Sequence, residues 1–159
     1  MAAVRVERDS FAVTGVTWMD HEFGTTRLDS TEVGWDWFGL RLDGGEALML
    51  YVLRHEDGGI DPVSSGTWVT SDGRTVRLRA RPVRRCARWA AGRARSGAVY
   101  PHGWRVRIPS LDVDLSVTPA VDDQELSTRA SGGVVYWEGS VRVRERAPGG
   151  RWRATATPS

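Results

Sequence analysis

The strongest constraint on this chain is the period of its hydrophobic residues. Short runs alternate apolar and polar side chains, and none holds the 3.6-residue spacing of an amphipathic helix long enough to build one. A period of two sends one set of side chains to a core face and the other toward solvent, which is how a half-buried strand reads. Candidate strands cover residues 4–8, 12–19, 33–42, 47–54, 66–70, 75–81, 104–108, 111–118, 134–144 and 151–156. Turn chemistry separates them at Asp43-Gly44-Gly45, Asp57-Gly58-Gly59, Asp72-Gly73, Ile108-Pro109-Ser110, Ser131-Gly132-Gly133 and Pro148-Gly149-Gly150. Strands at this spacing predict an all-β, antiparallel barrel or sandwich. A length of 159 residues suits one domain, with no boundary inside 1–159.

Two of these strands are apolar on both faces. Across residues 33–42, Val33, Trp35 and Trp37 point one way, while Asp36, Phe38, Leu40 and Leu42 point the other. In the 134–144 strand, Val134 and Tyr136 oppose Val135, Trp137, Val141 and Val143. A free-standing barrel in water presents a polar outer face. Apolar residues on both sides therefore predict a cover, whether a partner domain, a second subunit or an unusually thick core.

Asp36 is the sharpest chemical feature, because it shares its face with apolar neighbours. Desolvation there would raise its proton affinity and make a general acid among aromatic walls that stabilise a cation and exclude water. Alternatively, Asp36 is a buried carboxylate accepting hydrogen bonds, or it pairs with Arg41 or Arg54 from neighbouring positions, which would remove it as an acid. The run Trp18-Met19-Asp20-His21-Glu22 places Asp20 and Glu22 on one side and His21 on the other. It reads either as a polar cluster lining a cavity or as a strand end making turn hydrogen bonds. With no second His or Cys at ligand spacing, no metal site is expected. Tyr100-Pro101-His102-Gly103-Trp104 reads as a loop at a barrel mouth, touching ligand or capping a core. Tyr136 and Glu138 share a face, and Glu138 is either a second candidate acid or a partner for an arginine.

The charge balance narrows the partners. The 22 basic residues are all Arg and face 20 acidic ones, for a net charge of +2, so the basic bias argues weakly for nucleic acid. Nine arginines and no acidic residue lie between positions 74 and 95, but in TVRLRAR they alternate with apolar residues, as on a solvated strand face, and only Trp89 is available for base stacking. No nucleic-acid partner is expected. There is no phosphate-binding loop, dinucleotide fingerprint or serine elbow, so no cofactor is expected either. One cysteine, Cys86, excludes an internal disulfide, and no stretch has the length of a membrane span. Together these features predict a soluble, cytoplasmic protein.

The ordered blocks GVTWMDHEFG, GWDWFGLRLDGGEALMLYVLR, YPHGWRVRIP, DQEL and YWEGSVRV, spanning 15–143, resemble the C-terminal lipocalin-like domain of the CrtC/AttH-like family, which includes carotenoid 1,2-hydratases. The resemblance implies a calycin-type barrel, usually the second of two similar domains, holding an apolar isoprenoid or polyene ligand in the barrels or at their junction. Hydratase members protonate a terminal double bond and let water capture the tertiary cation, without metal or redox cofactor. The family's aspartate and aromatic positions fall here on Asp20, His21, Trp35, Asp36, Trp37 and Tyr136. On this basis the candidate catalytic residues are Asp36, Asp20 and His21, and the candidate ligand-binding residues are Trp18, Trp35, Trp37, Tyr100, Trp104, Tyr136 and Glu138. Two departures qualify it. The matching blocks correspond to the second of the two domains that the resemblance implies, which leaves as alternatives a non-catalytic carrier, a homo-oligomer or a module docking on a separate first lipocalin-like domain. The chain also ends GGRWRATATPS where family members carry a segment like Gly-Tyr-Val-Glu-Leu-Thr-Gly-Tyr, so an incompletely closed barrel is expected.

Overall fold

The computed structural model describes residues 2–16, 18–19, 31–79, 87–128, 135–146 and 152–156. The chain opens with an antiparallel hairpin of β1 (Ala2–Val6) and β2 (Asp9–Val13). Next come β3 (Glu32–Arg41), β4 (Ala47–His55), β5 (Ser65–Val69) and β6 (Thr75–Leu78), an antiparallel meander in the order β3-β4-β5-β6. Then follow β7 (Ala87–Arg93), β8 (Val99–Ile108) and β9 (Val113–Pro119), a short pair β10 (Glu125–Ser127) and β11 (Val135–Trp137), and finally β12 (Val141–Arg146) and β13 (Trp152–Ala156). The second large sheet has the order β13-β12-β9-β8-β7. The sheets curl into an antiparallel half-barrel, a lipocalin-like open barrel. Among the described residues no helix is long and apolar enough to cross a membrane.

The sequence period explains the core. Phe38, Leu40, Leu48, Leu50 and Val52 come from the first sheet and meet Trp104, Val106, Ile108, Leu115, Val117 and Val143 from the second. In β9 the buried Val113, Leu115 and Val117 alternate with half-buried Asp114, Ser116 and Thr118. Each fully buried aliphatic side chain contributes about 1.5–3 kcal/mol relative to exposure. Turn chemistry sets the ends of the strands. Gly45 and Gly73 hold φ of +92° and +84° in the two hairpin loops where glycine was expected, a conformation that Cβ-bearing residues adopt at a cost. Between β8 and β9 the chain makes a 3-10 turn over Pro109–Leu111, and Asp112 takes the left-handed conformation with φ of 53°.

Several elements differ from the sequence expectation. Residues 99–103 belong to β8 and do not form a loop: Pro101 pairs with Ala91 of β7, while the β9 ladder begins only at Trp104. Pro101 therefore sits where one side of the strand is unpaired, the place a residue without N–H is accepted. The expected strand 134–144 is broken at 138–140 into β11 and β12, which pair with different partners. Strand β7 lies inside the arginine-rich stretch, and residues 14–16 and 18–19 are not strand. Asp20, His21, Glu22, Cys86 and Val134 lie outside the described residues.

Candidate functional site

Strand pairing places a half-buried ion pair, Asp36 with Arg54, beside β3. Asp36 lies opposite Val52, and Arg54 is two residues further along β4, so both side chains are on the same face, one diagonal step apart. Directly across from Arg54 is Gly34, where a Cβ would come within 2.9 Å of the guanidinium. The missing side chain lets Arg54 lie over the strand. Its Nε comes 3.3 Å from Asp36 Oδ2, and its Nη2 donates to the Trp35 carbonyl oxygen at 3.4 Å. The Nε contact is an ion pair without the alignment of a hydrogen bond. Arg54, one of the two partners considered, reaches the carboxylate. A proton donor at Asp36 has to loosen this pair first.

A cavity of about 830 Å³ surrounds the pair, within the range of small-molecule sites. Both faces of β3 line it, which places it around the outer side of that strand, the end of the first sheet. Tyr100 and Trp104 of β8 and residues 135–141 form the opposite wall. A second cavity of about 510 Å³ continues toward the Asp43–Gly45 turn. The two share Trp18, Gly39, Leu40, Gly139, Ser140 and Val141, and so form one elongated seam. A ten-residue strand is about 30 Å long, which sets the scale of the seam beside β3. Trp18 crosses its middle, edge-on to Trp37 at 6.2 Å and 74°. Gly39 makes this crossing feasible, since a Cβ there would come within 2.7 Å of the Trp37 ring and 3.1 Å of the Trp18 ring.

The described candidates Trp18, Trp35, Asp36, Trp37, Tyr100, Trp104, Tyr136 and Glu138 all line the larger cavity. Its polar walls are mostly paired internally. Tyr100 donates to Glu125 Oε1 at 2.7 Å, and that hydrogen bond is the main cause pushing its pKa up to about 12. Ser96 donates to the same oxygen at 2.8 Å. The Tyr136 hydroxyl is held above its usual pKa chiefly by its hydrogen bond to Glu138. Both tyrosines therefore stay neutral donors. Behind this wall, His102 Nε2 lies 3.1 Å from Asp122 Oδ1, and Trp137 Nε1 donates to the Asp122 carbonyl oxygen at 3.1 Å.

Sequence reasoning did not single out Glu125 or Asp122, and it named His102 and Trp137 only within the runs 100–104 and 134–144. The signal for His102 was its two-residue spacing from Tyr100 and Trp104, which a loop reading hides. Among the described residues no group of His, Cys, Asp or Glu side chains is placed to hold a metal.

An open antiparallel half-barrel with an elongated, aromatic-walled seam defines a lipocalin-like protein. The chain belongs to the AttH-like family, whose profile matches residues 1–152. It is similar, at 30% identity and a TM-score of 0.66, to a crystal structure of a protein provisionally assigned as an AttH from Nitrosomonas europaea. That likeness covers 82% of this chain and 39% of the other, so the chain spans about two-fifths of the length of its solved relative. No curated protein matches it.

Proposed function

We propose that the chain is a single, cytoplasmic lipocalin-like domain that binds an apolar isoprenoid or polyene chain in the seam beside β3. The observation that carries this reading is the continuity of the two cavities, with indoles on the walls and one charged pair near one end. A flat, extended, unsaturated chain matches such a shape, and π faces suit both its double bonds and a transient cation. In its finer form the reading is cofactor-independent hydration of a C=C bond. Asp36 transfers a proton to one alkene carbon, the tertiary cation forms on the other, water adds, and the proton lost from the oxonium returns to a carboxylate. Asp20 and His21 would tune Asp36 or position the water. Arg54 would then gate the reaction by releasing Asp36 to accept and donate that proton.

Titration of tryptophan fluorescence with a panel of isoprenoids and polyenes tests the binding, with saturable quenching by one class expected. Asp36→Asn should keep that quenching and abolish any hydration product. No quenching from a cooperatively folded protein would refute the binding reading, and retained hydration would remove Asp36 from the acid role.

A second reading, docking on a partner lipocalin-like domain or another copy of the chain, is favoured by the β1–β2 hairpin. Its Val4, Val6 and Phe11 are each at least half exposed, on a two-stranded element that is marginal without a cover. The greater length of the solved relative supports the same reading. A strict monomer by sedimentation at high concentration would count against self-association.

A further inference from the structure

We propose that the outer face of the second sheet is a docking surface for an anionic lipid bilayer, with Arg105, Arg107, Arg142, Arg144 and Arg146 turned toward its headgroups. The choice of a bilayer rests on the apolar occupant proposed for the seam, since a chain of that kind partitions into membranes and hardly into water. The face itself follows from the strand ladder.

Strands β8, β9 and β12 bury Trp104, Val106, Leu115, Val117 and Val143 on one side, so the residues between them point to the other. Strand pairing then sets these residues in rows. Arg144 stands beside Ser116, and Ser116 beside Arg105. In the next row Asp114 stands beside Arg107, and the charge of Arg146, one residue beyond the β12–β9 ladder, reaches the same carboxylate. Arg142 stands beside Thr118. Two strand steps separate the arginine columns by about 10 Å, and two residues along a strand separate the rows by about 7 Å. Arg142, Arg144 and Arg146 are exposed, and Arg105 and Arg107 are partly so.

The charge on this face is concentrated. Among the described residues of these rows Asp114 is the one carboxylate, and it already accepts two hydrogen bonds from Arg105. Glu145 lies on the core side opposite Leu115, and Asp122 and Asp123 beyond β9 are paired with His102 and Arg95. Five guanidinium groups against one carboxylate exceed the net charge of +2 carried by the whole chain, so the excess belongs to this face and not to the composition. The rows hold arginines, hydroxyls and one carboxylate, with no aromatic side chain among them. A protein interface gathers aromatic anchors at its centre and a single-stranded nucleic acid needs stacking platforms, whereas an anionic bilayer is recognised by charge alone. Strand β12 joins this face to the seam: Val141 and Val143 line the smaller cavity from one side of the strand, and the arginines occupy the other.

The test is co-sedimentation of the full chain with vesicles of phosphatidylcholine alone and with about 30% phosphatidylserine, at about 0.1 M and about 1 M salt. Binding is expected only to the anionic vesicles and only at the lower salt, with no isoprenoid added. An arginine at a membrane surface contributes about fivefold in partitioning, so Arg144→Gln combined with Arg146→Gln should weaken binding about 25-fold. Arg77→Gln combined with Arg79→Gln removes the same charge from exposed positions at β6, in the first sheet, and should bind within about twofold of the wild type. The lipid and salt comparisons need no variant.

Binding that ignores phosphatidylserine or salt, equal weakening by the two double variants, or tighter binding to single-stranded DNA or polyglutamate than to the vesicles would each overturn the inference. Protein that stays in solution beside anionic vesicles, yet is quenched by isoprenoids delivered from cyclodextrin, would overturn the docking surface and leave the seam reading intact. Vesicle binding as expected, without isoprenoid quenching, would uphold the docking surface and overturn the seam reading.

Discussion

The ion pair between Asp36 and Arg54 can be tested by a double-mutant cycle. The variants are Asp36→Asn, Arg54→Met and the two combined. At 3.3 Å and an effective dielectric near 20, two unit charges attract by about 5 kcal/mol. The side chains are 10% and 22% exposed, so much of that attraction is offset by the desolvation of both groups, and the Nε–H is poorly aimed. A net coupling of about 1–2 kcal/mol is expected, above the range of exposed pairs and below that of fully buried ones. Arg54→Met alone should cost more than the double variant, because it leaves the carboxylate enclosed without its cation. Urea unfolding followed by tryptophan fluorescence gives the four stabilities, and the non-additivity should persist in 1 M salt, which screens surface pairs but hardly this one. Single-variant costs that add to within about 0.3–0.5 kcal/mol would show that Arg54 does not hold the carboxylate. Asp36 would then be available as an acid without any gating step.

Three further outcomes follow from the geometry. Gly39→Ala places a methyl against the Trp18 and Trp37 rings and should cost about 1–3 kcal/mol, with red-shifted tryptophan emission and weaker quenching by long-chain ligands; unchanged emission would mean that Trp18 does not rest there. Leu115→Ala empties a fully enclosed position between the sheets and should cost about 2–5 kcal/mol in urea unfolding. Asp114 accepts two hydrogen bonds from Arg105, at 2.8 and 2.6 Å, and that guanidinium holds its carboxyl below the usual carboxylate range. Its folded form therefore binds the proton less tightly than the unfolded chain does, so its stabilisation is complete above the unfolded value near 3.9 and is lost as pH falls through the lower folded value. Relative to Asp114→Asn, the wild-type advantage of about 1 kcal/mol at pH 7 should vanish in acid; an advantage independent of pH would refute the assignment.

The period of two carried most of the fold. Phe38 and Leu40 are buried with Asp36 on their side, as the alternation required, and Arg54 was legible as a partner because a strand register can bring it there. What the alternation could not convey was where a ladder stops. Pro101 and Gly103 read as loop residues, since local preference knows nothing of β8 being paired on one side only at that point. Strand β7 was hidden by its arginines, and register shifts at Arg88, Ala90 and Ala91 blur the pattern further. The break at 138–140 escaped notice because Val135, Trp137, Val141 and Val143 keep their parity across it, although the chain changes partner from β10 to β9. The links from Tyr100 to Glu125 and from Trp137 to Asp122 join distant stretches of chain, and nothing in single-sequence spacing encodes such pairs.

Both members of the charged pair belong to one hairpin, β3–β4, whereas the walls facing them come from β8 and from residues 135–141. The charged end of the seam and its shape are thus written in separate stretches of chain, with the hairpin fixed by its own ladder. Substitutions among the facing residues can reshape the seam while Asp36 and Arg54 stay in register. Diversification of specificity within this architecture therefore requires no redesign of its charged centre, and the first place to look for it is the short segment between β11 and β12.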